Sequence, residues 1–138
     1  TIKPHTGNTA TAQVIADTLR EIGSPAVKAS YDAGNVRFYE GVDPAEDFPL
    51  ISRQTVSFIA KDHRGARAEA DFPVPGEGDV RFPEMFAELK KVSFSGPVIV
   101  ERLDGKGGSI SAEELDERVA RARANLERML TEAGFRVD

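Results

Sequence analysis

Residues 54–64 read Gln-Thr-Val-Ser-Phe-Ile-Ala-Lys-Asp-His-Arg, an apolar and β-branched run that ends in a charged cluster. Residues 54–60 are typical of a strand, because Thr, Val, Phe and Ile favour the extended backbone. The polar residues then fall where the strand ends. This order of strand first and polar cluster second decides the fold, because it recurs along the chain.

Three other clusters repeat the arrangement, at residues 2–5 (Ile-Lys-Pro-His), 31–35 (Tyr-Asp-Ala-Gly-Asn) and 100–102 (Val-Glu-Arg). Segments with helical features separate the clusters. Parallel strands bring their carboxyl ends to one edge of a sheet or barrel, and α/β proteins build their sites at that edge. We therefore expect an α/β fold of four consecutive βα units, with the polar clusters close together.

Apolar residues three or four positions apart and helix-starting residues mark the intervening helices. The predicted helices are residues 9–22 before Gly23, a short one from Asp43-Pro44, one opened by Pro83, and a long one from Ser111. The predicted core stripe of the long helix is Leu115, Val119, Ala122, Leu126 and Met129 or Leu130. Residues 65–80, rich in Pro and Gly, are predicted to form a long loop over the strand ends.

Composition limits the classes of function. The net charge of −5 argues against nucleic acid as the main partner, since phosphate binding requires clustered Lys and Arg. No apolar run approaches the roughly 18–20 residues of a membrane span, so no membrane partner is expected. The chain has no cysteine, which excludes disulfides and thiolate metal sites and favours a cytoplasmic location.

Four βα units make half of an eight-stranded (β/α)8 barrel. We expect residues 1–138 to form a single half-barrel domain or fragment, and the start at Thr1 without Met also suggests a fragment or a processed piece. A half barrel exposes two parallel sheet edges, which favour pairing with another strand. The expected partners are a missing N-terminal half barrel or a second copy of the chain.

The clusters resemble the C-terminal half, strands five to eight, of the xylose isomerase-like TIM barrel family of sugar phosphate isomerases and epimerases. The stretches that carry this resemblance are residues 31–35, Lys61-Asp62, residues 75–82 (Pro-Gly-Glu-Gly-Asp-Val-Arg-Phe) and residues 96–101 (Gly-Pro-Val-Ile-Val-Glu). The resemblance implies an isomerase or epimerase that acts on a sugar, sugar phosphate, keto-sugar or cyclitol. Its reaction would be proton transfer next to a carbonyl, as in an isomerase, an epimerase or a related lyase.

The resemblance also implies a divalent metal ion (Mn, Mg, Co or Zn) held by Glu, Asp, His or Gln, and Glu from the four strands. On this chain the Asp falls on Asp32 and the last Glu on Glu101. The first Glu position holds Lys3, and the His or Gln position falls near Ile59. Two of the four ligands are therefore absent from their usual places.

Three interpretations stay open. The Lys3 ammonium can replace the metal electrostatically, paired with Asp32 and Glu101, in which case no metal is needed. Alternatively, His5 or His63 supplies an imidazole to Asp32 and Glu101 and restores a metal site. Finally, the site can be inactive, which would make the chain a non-catalytic sugar-binding or partner-binding barrel.

The candidate catalytic residues are Glu101 or Asp32 as the base and Lys3 as the group that stabilises the enediolate. The candidate substrate-binding residues are His5, Asn35, Lys61, Asp62 and Arg64. Each has a purely structural alternative: Asp32 and Asn35 are common turn residues, and Lys61 can form an ion pair with Asp62.

Overall fold

Three parallel strands form the sheet in the computed structural model, which describes residues 1–137. They are β1 (Ala29–Asp32), β2 (Thr55–Ala60) and β3 (Val98–Val100), in the order β1-β2-β3. Ile2 forms a parallel bridge to Ala29 and so occupies a fourth strand position beside β1. The prediction of an α/β fold of consecutive parallel units is confirmed, although the first strand is reduced to this bridge.

The helices alternate with the strands. They are α1 (Ala12–Ile22), α2 (Ala33–Asn35), α3 (Pro44–Asp47), α4 (Phe82–Lys91) and α5 (Ala112–Glu132). Gly23 ends α1 in the left-handed conformation, with a φ of 63°, as predicted. The Ser111 side chain accepts a hydrogen bond from the Glu114 amide and caps α5, which is the predicted start of that helix.

The core lies between one face of the sheet and the helices. Its largest fully buried side chains include Tyr31, Phe48, Phe58, Phe82 and Phe86. Asp32 pairs in register with Ile59, and Ile59 pairs with Ile99. Because side chains alternate across a strand, these three residues face away from the helices, towards the side of the sheet that carries the site.

Strand β3 lies at an edge of the sheet, called the β3 border below, and its outer side pairs with no strand of the described residues. The predicted core stripe of α5 is correct from Ala122 onwards but wrong for Leu115 and Val119, which are 42% and 50% exposed. Ile99 and Val100 of β3 are exposed as well. The first turns of α5 therefore show an apolar surface that the described residues leave uncovered.

No helix within residues 1–137 has the length and hydropathy to cross a membrane.

Candidate active site

Each of the four strand positions contributes one charged residue to a common site. Lys3 follows Ile2, Asp32 ends β1, Lys61 follows β2 and Glu101 follows β3. These four residues are called the charged quartet below. Their convergence at the carboxyl ends of parallel strands is the arrangement expected for a site in this class of fold.

The quartet is a ring of alternating charges. The Lys3 Nζ atom lies 3.0 Å from Asp32 Oδ2 and 2.5 Å from Glu101 Oε2. The Lys61 Nζ atom lies 3.3 Å from the same Asp32 oxygen and 2.5 Å from Glu101 Oε1. Two ammonium groups and two carboxylates thus neutralise each other, with each lysine bridging both acids.

Asn35 and Gly34 hold Lys61 in the quartet. The Asn35 Oδ1 atom accepts a hydrogen bond from Lys61 at 2.7 Å, and its Nδ2 group donates to the Pro4 carbonyl at 2.8 Å. The Asn35 amide donates to Asp32 Oδ1 at 2.9 Å. A Cβ atom at Gly34 would overlap both the side chain and the backbone oxygen of Lys61, so glycine is required for this close approach.

The quartet has an accessible half and a buried half. The side chains of Lys3 and Glu101 are 35% and 38% exposed, whereas those of Asp32 and Lys61 are 0% and 4% exposed. A ligand approaching the strand ends therefore meets Lys3 and Glu101 first. Asp32 and Lys61 lie buried behind Lys3 and Glu101 and pair with them.

The pKa values of the quartet follow from burial and pairing. Burial acts to raise the pKa of Glu101, but the hydrogen bonds and charges of Lys3 and Lys61 outweigh it and leave the pKa below its ordinary value. For Lys3, burial lowers the pKa, and the bonds and charges of Glu101 and Asp32 raise it above the ordinary value overall. Burial raises the pKa of Asp32 despite its lysine neighbours.

The donor set does not fit a divalent metal ion. Asp32 and Glu101 would supply oxygen ligands, but the ammonium groups of Lys3 and Lys61 already lie within 3.3 Å of those oxygens. A protonated lysine has no lone pair for a metal and repels it. Apolar Ile59 lies in register beside Asp32, where a ligand would be needed. Nowhere in residues 1–137 do three His, Cys, Asp or Glu side chains form a group able to hold a metal ion.

The two histidines lie outside the quartet. His5 is exposed, its ring packs on Tyr39 with a centroid distance of 4.3 Å, and within residues 1–137 it forms no metal-holding group with Asp32 and Glu101. His63 is fully buried, with Nε2 2.6 Å from the Glu69 carbonyl oxygen. The interpretation in which a histidine restores the metal site therefore lacks the geometry it requires.

Asp62 anchors a loop and does not reach the open site. The prediction that it contacts substrate needs correction, because its side chain is fully buried and both of its oxygens accept backbone hydrogen bonds. It does not take Lys61 as its ion-pair partner either, since Lys61 is held by the quartet and Asn35. The amides that donate to Asp62 are those of His63, Gly76, Gly78 and Val80.

Arg64 lies at the rim, where its side chain is half exposed. Its guanidinium donates to the Glu77 carbonyl at 2.5 Å and lies 3.7 Å from an oxygen of Asp71. Both contacts are with residues of the long loop 65–80. The accessible remainder of the guanidinium keeps Arg64 a candidate contact for an anionic or polar substrate.

Lys61 was predicted as a substrate-binding residue, and its place in the quartet was missed. A signal for that place is the alternation of β2, because Lys61 lies two residues after Ile59 and so faces the same side of the sheet. The reach of a lysine side chain then brings its ammonium up to the strand ends. The contacts of Arg102, described below, depend on a distant loop and left no local signal.

Comparison with known proteins shows the family and the fold to which the chain belongs. Residues 2–132 match the family described as xylose isomerase-like TIM barrel. A xylose isomerase domain protein from Planctomyces limnophilus superimposes with a TM-score of 0.75 at 18% identity, over 95% of this chain and 44% of that chain. D-Psicose 3-epimerase with D-tagatose from Clostridium cellulolyticum H10 gives a TM-score of 0.72 at 16% identity, over 93% and 48%.

The IOLI protein with a binding zinc atom gives a TM-score of 0.72 at 15% identity, over 99% of this chain and 48% of that chain. At these identities the structural similarity shows the fold alone. The chain spans less than half the length of the three structures. The family match covers nearly the whole chain, and the chain therefore belongs to the xylose isomerase-like TIM barrel family.

Proposed function

We propose that this chain carries the catalytic carboxyl-end site of an isomerase or epimerase acting on a sugar, sugar phosphate, keto-sugar or cyclitol. The observation that carries the proposal is the contact of 2.5 Å between Lys3 Nζ and Glu101 Oε2, with both side chains partly exposed. A carboxylate base beside a fixed cation is the pair needed for proton transfer next to a carbonyl. Relatives with epimerase activity in their names support the same class.

Glu101 acts as the base and Lys3 as the electrostatic stabiliser. The Glu101 carboxylate removes the proton from the carbon next to the carbonyl, and the C–H electron pair moves to make an enediolate. The Lys3 ammonium donates a hydrogen bond to the enediolate oxygen. Return of the proton from the Glu101 carboxyl to the former carbonyl carbon, with transfer of the hydroxyl proton between the two substrate oxygens, isomerises the substrate. Epimerisation instead needs a second acid that delivers its own proton to the opposite face of the first carbon, while Glu101 releases the proton it took to water.

The pKa directions fix the charges that these roles need. A lowered pKa keeps Glu101 ionised at neutral pH and at the same time makes its carboxylate a weaker base. A raised pKa keeps Lys3 charged when negative charge develops on the substrate oxygen. Asp32 is fully buried and cannot reach a substrate carbon, so its role is to hold both ammonium groups in place.

The partner we infer for the chain is a complementary N-terminal half barrel. The exposed β3 border needs a further parallel strand, and the chain spans less than half of the structures it matches. Such a half would close the barrel and supply the remaining wall of the substrate pocket. A second copy of the chain is the alternative occupant.

Exchange of substrate hydrogen with solvent tests the reaction class. Ketoses such as D-tagatose are incubated in D₂O with the chain and its complementary half, and deuterium at the carbon next to the carbonyl is followed by NMR. We expect exchange that persists in excess chelator and is lost in Glu101→Gln, while Glu113→Gln on the exposed side of α5 behaves as wild type. Ketose binding without any exchange would favour the non-catalytic sugar-binding alternative.

A further inference from the structure

The backbone turns sharply directly after the quartet. Arg102 has a φ of 60°, in the left-handed region that residues with a side chain seldom adopt. Only Ala68 and Ser93 share this feature among the non-glycine residues that the structure describes. A conformation of this kind persists where surrounding contacts hold it, and such residues concentrate near functional sites.

The Arg102 side chain is fixed on two sides. Its Nε and Nη2 groups donate to the two oxygens of Asp104 at 3.0 and 2.7 Å, which is a bidentate pair. The guanidinium carbon lies 3.8 Å from the centroid of the Phe72 ring. A guanidinium that is both paired in its plane and stacked on its face has little freedom left.

These contacts join two loops. Phe72 belongs to the long loop after β2, and it forms an antiparallel bridge with Gly105 of the loop after β3. The Phe72 amide donates to the Gly105 carbonyl at 2.8 Å, and the Gly105 amide donates back at 2.9 Å. Phe72 is itself buried, so its ring is held in place where the Arg102 guanidinium stacks on it. Arg102, Phe72, Asp104 and Gly105 are called the Arg102 clamp below.

Glu101 needs such support. It follows a strand of only three residues, β3, whose pairing within residues 1–137 is with β2 alone. Its side chain is partly exposed, and so is that of Lys3, one of the two lysines that hold it. Backbone restraint on the residue after Glu101 would therefore add to the hold that Lys61 has on the carboxylate.

We propose that Arg102 is a positioning residue, which fastens the loops after β2 and β3 to each other and so holds Glu101 between Lys3 and Lys61. The inference deepens the proposed function, since it matters for catalysis only if Glu101 is the base. The clamp itself can be tested without any substrate.

The test compares Arg102→Lys with the matched variant Arg123→Lys. Lysine keeps the positive charge but loses the bidentate fork and the stacking, and Arg123 forms a similar ion pair with Glu127 on α5, away from the site. In Arg102→Lys we expect amide hydrogen exchange at Phe72 and Gly105 to accelerate at least tenfold. The NMR-measured pKa of Glu101 should rise towards its ordinary value, because the carboxylate is no longer held against both lysines. Arg123→Lys should change neither quantity.

Phe72→Leu provides a second variant, because it removes the ring while keeping the charges and most of the apolar volume. It should change both measurements in the same direction as Arg102→Lys. An unchanged Glu101 pKa in the two variants would overturn the inference, even if loop exchange accelerates, because the clamp would then join loops without positioning the base. Absence of substrate exchange in the wild type would refute the proposed function and leave these NMR results to decide on the clamp.

Discussion

At the scale of single residues, the proposed chemistry depends on Lys3, whose ammonium bridges Asp32 and Glu101. Lys3→Met removes the accessible ammonium while keeping the apolar stem of the side chain. We expect the pKa of Glu101 to rise towards its ordinary value in this variant, because one of the two ammonium groups at 2.5 Å from its carboxylate is lost. NMR titration of the Glu101 carboxyl measures the shift directly. Lys28→Met, directly before β1 and outside the quartet, serves as the control.

Lys3→Met should also change how the free energy of unfolding depends on pH. Folding lowers the pKa of Glu101. Its contribution to the free energy of unfolding is therefore present above the ordinary glutamate pKa and is lost as the pH falls through the pKa of the folded protein. Folding raises the pKa of Lys3, so its contribution to the free energy of unfolding is present below the ordinary lysine pKa and is lost as the pH rises through the pKa of the folded protein. Urea unfolding should show the largest difference between wild type and Lys3→Met in the neutral range, shrinking at both ends. A difference that does not vary with pH would argue against the ion pair.

At the scale of elements, Asp62 determines the shape of the long loop. Its carboxylate accepts four backbone hydrogen bonds in a buried position, so Asp62→Ala would leave several donors without partners. We expect a loss of roughly 2–4 kcal/mol in the free energy of unfolding. Asp79→Ala should cost about 1 kcal/mol or less, because the Asp79 carboxylate is exposed and accepts one amide, from Gly65. Equal losses in the two variants would contradict the anchoring role.

Elements with local signals were predictable from the sequence, and those that depend on distant contacts were not. Gly23, Ser111 and the Asp43-Pro44 start each act within one helical turn, and the structure confirms all three. The helical stretch that follows Asp32 was missed, because Asp32 capping the Asn35 amide looks in sequence like an ordinary turn. The pairing of Lys3 with Asp32 and Glu101 was one of three interpretations that the family resemblance left open. The contact of Lys61 with both acids was not predicted, because it depends on the close approach of Gly34 in three dimensions.

At the scale of the whole molecule, the open β3 border is the main departure from a closed fold. A groove of about 660 Å³ runs beside it, with apolar lining from residues such as Phe94, Val98, Leu126 and Phe135. Unpaired strand edges and apolar faces of this kind are usually covered in native proteins. The proposed complementary half barrel would cover both the groove and the exposed start of α5.

Measurements of association test whether a complementary half barrel covers this apolar surface. Val119→Glu places a charge on the exposed apolar side of α5 and should weaken binding of a separately added N-terminal half barrel on the order of tenfold. Val42→Glu alters an exposed valine outside this border and should leave the affinity unchanged. Sedimentation velocity reports both affinities. Self-association of the chain that Val119→Glu abolishes would identify a second copy as the partner, against our proposal.

The central claim is that two lysines occupy the electrostatic place of a metal ion, and titration calorimetry with Mn²⁺ and Zn²⁺ tests it most directly. The folded chain should show no saturable binding by either ion, because the carboxylates of Asp32 and Glu101 are already neutralised by Lys3 and Lys61. The double variant Lys3→Glu with Ile59→His, which exchanges an ammonium and an apolar side chain for two ligands, should gain binding. Binding by the wild type that is lost in Asp32→Ala would contradict the account.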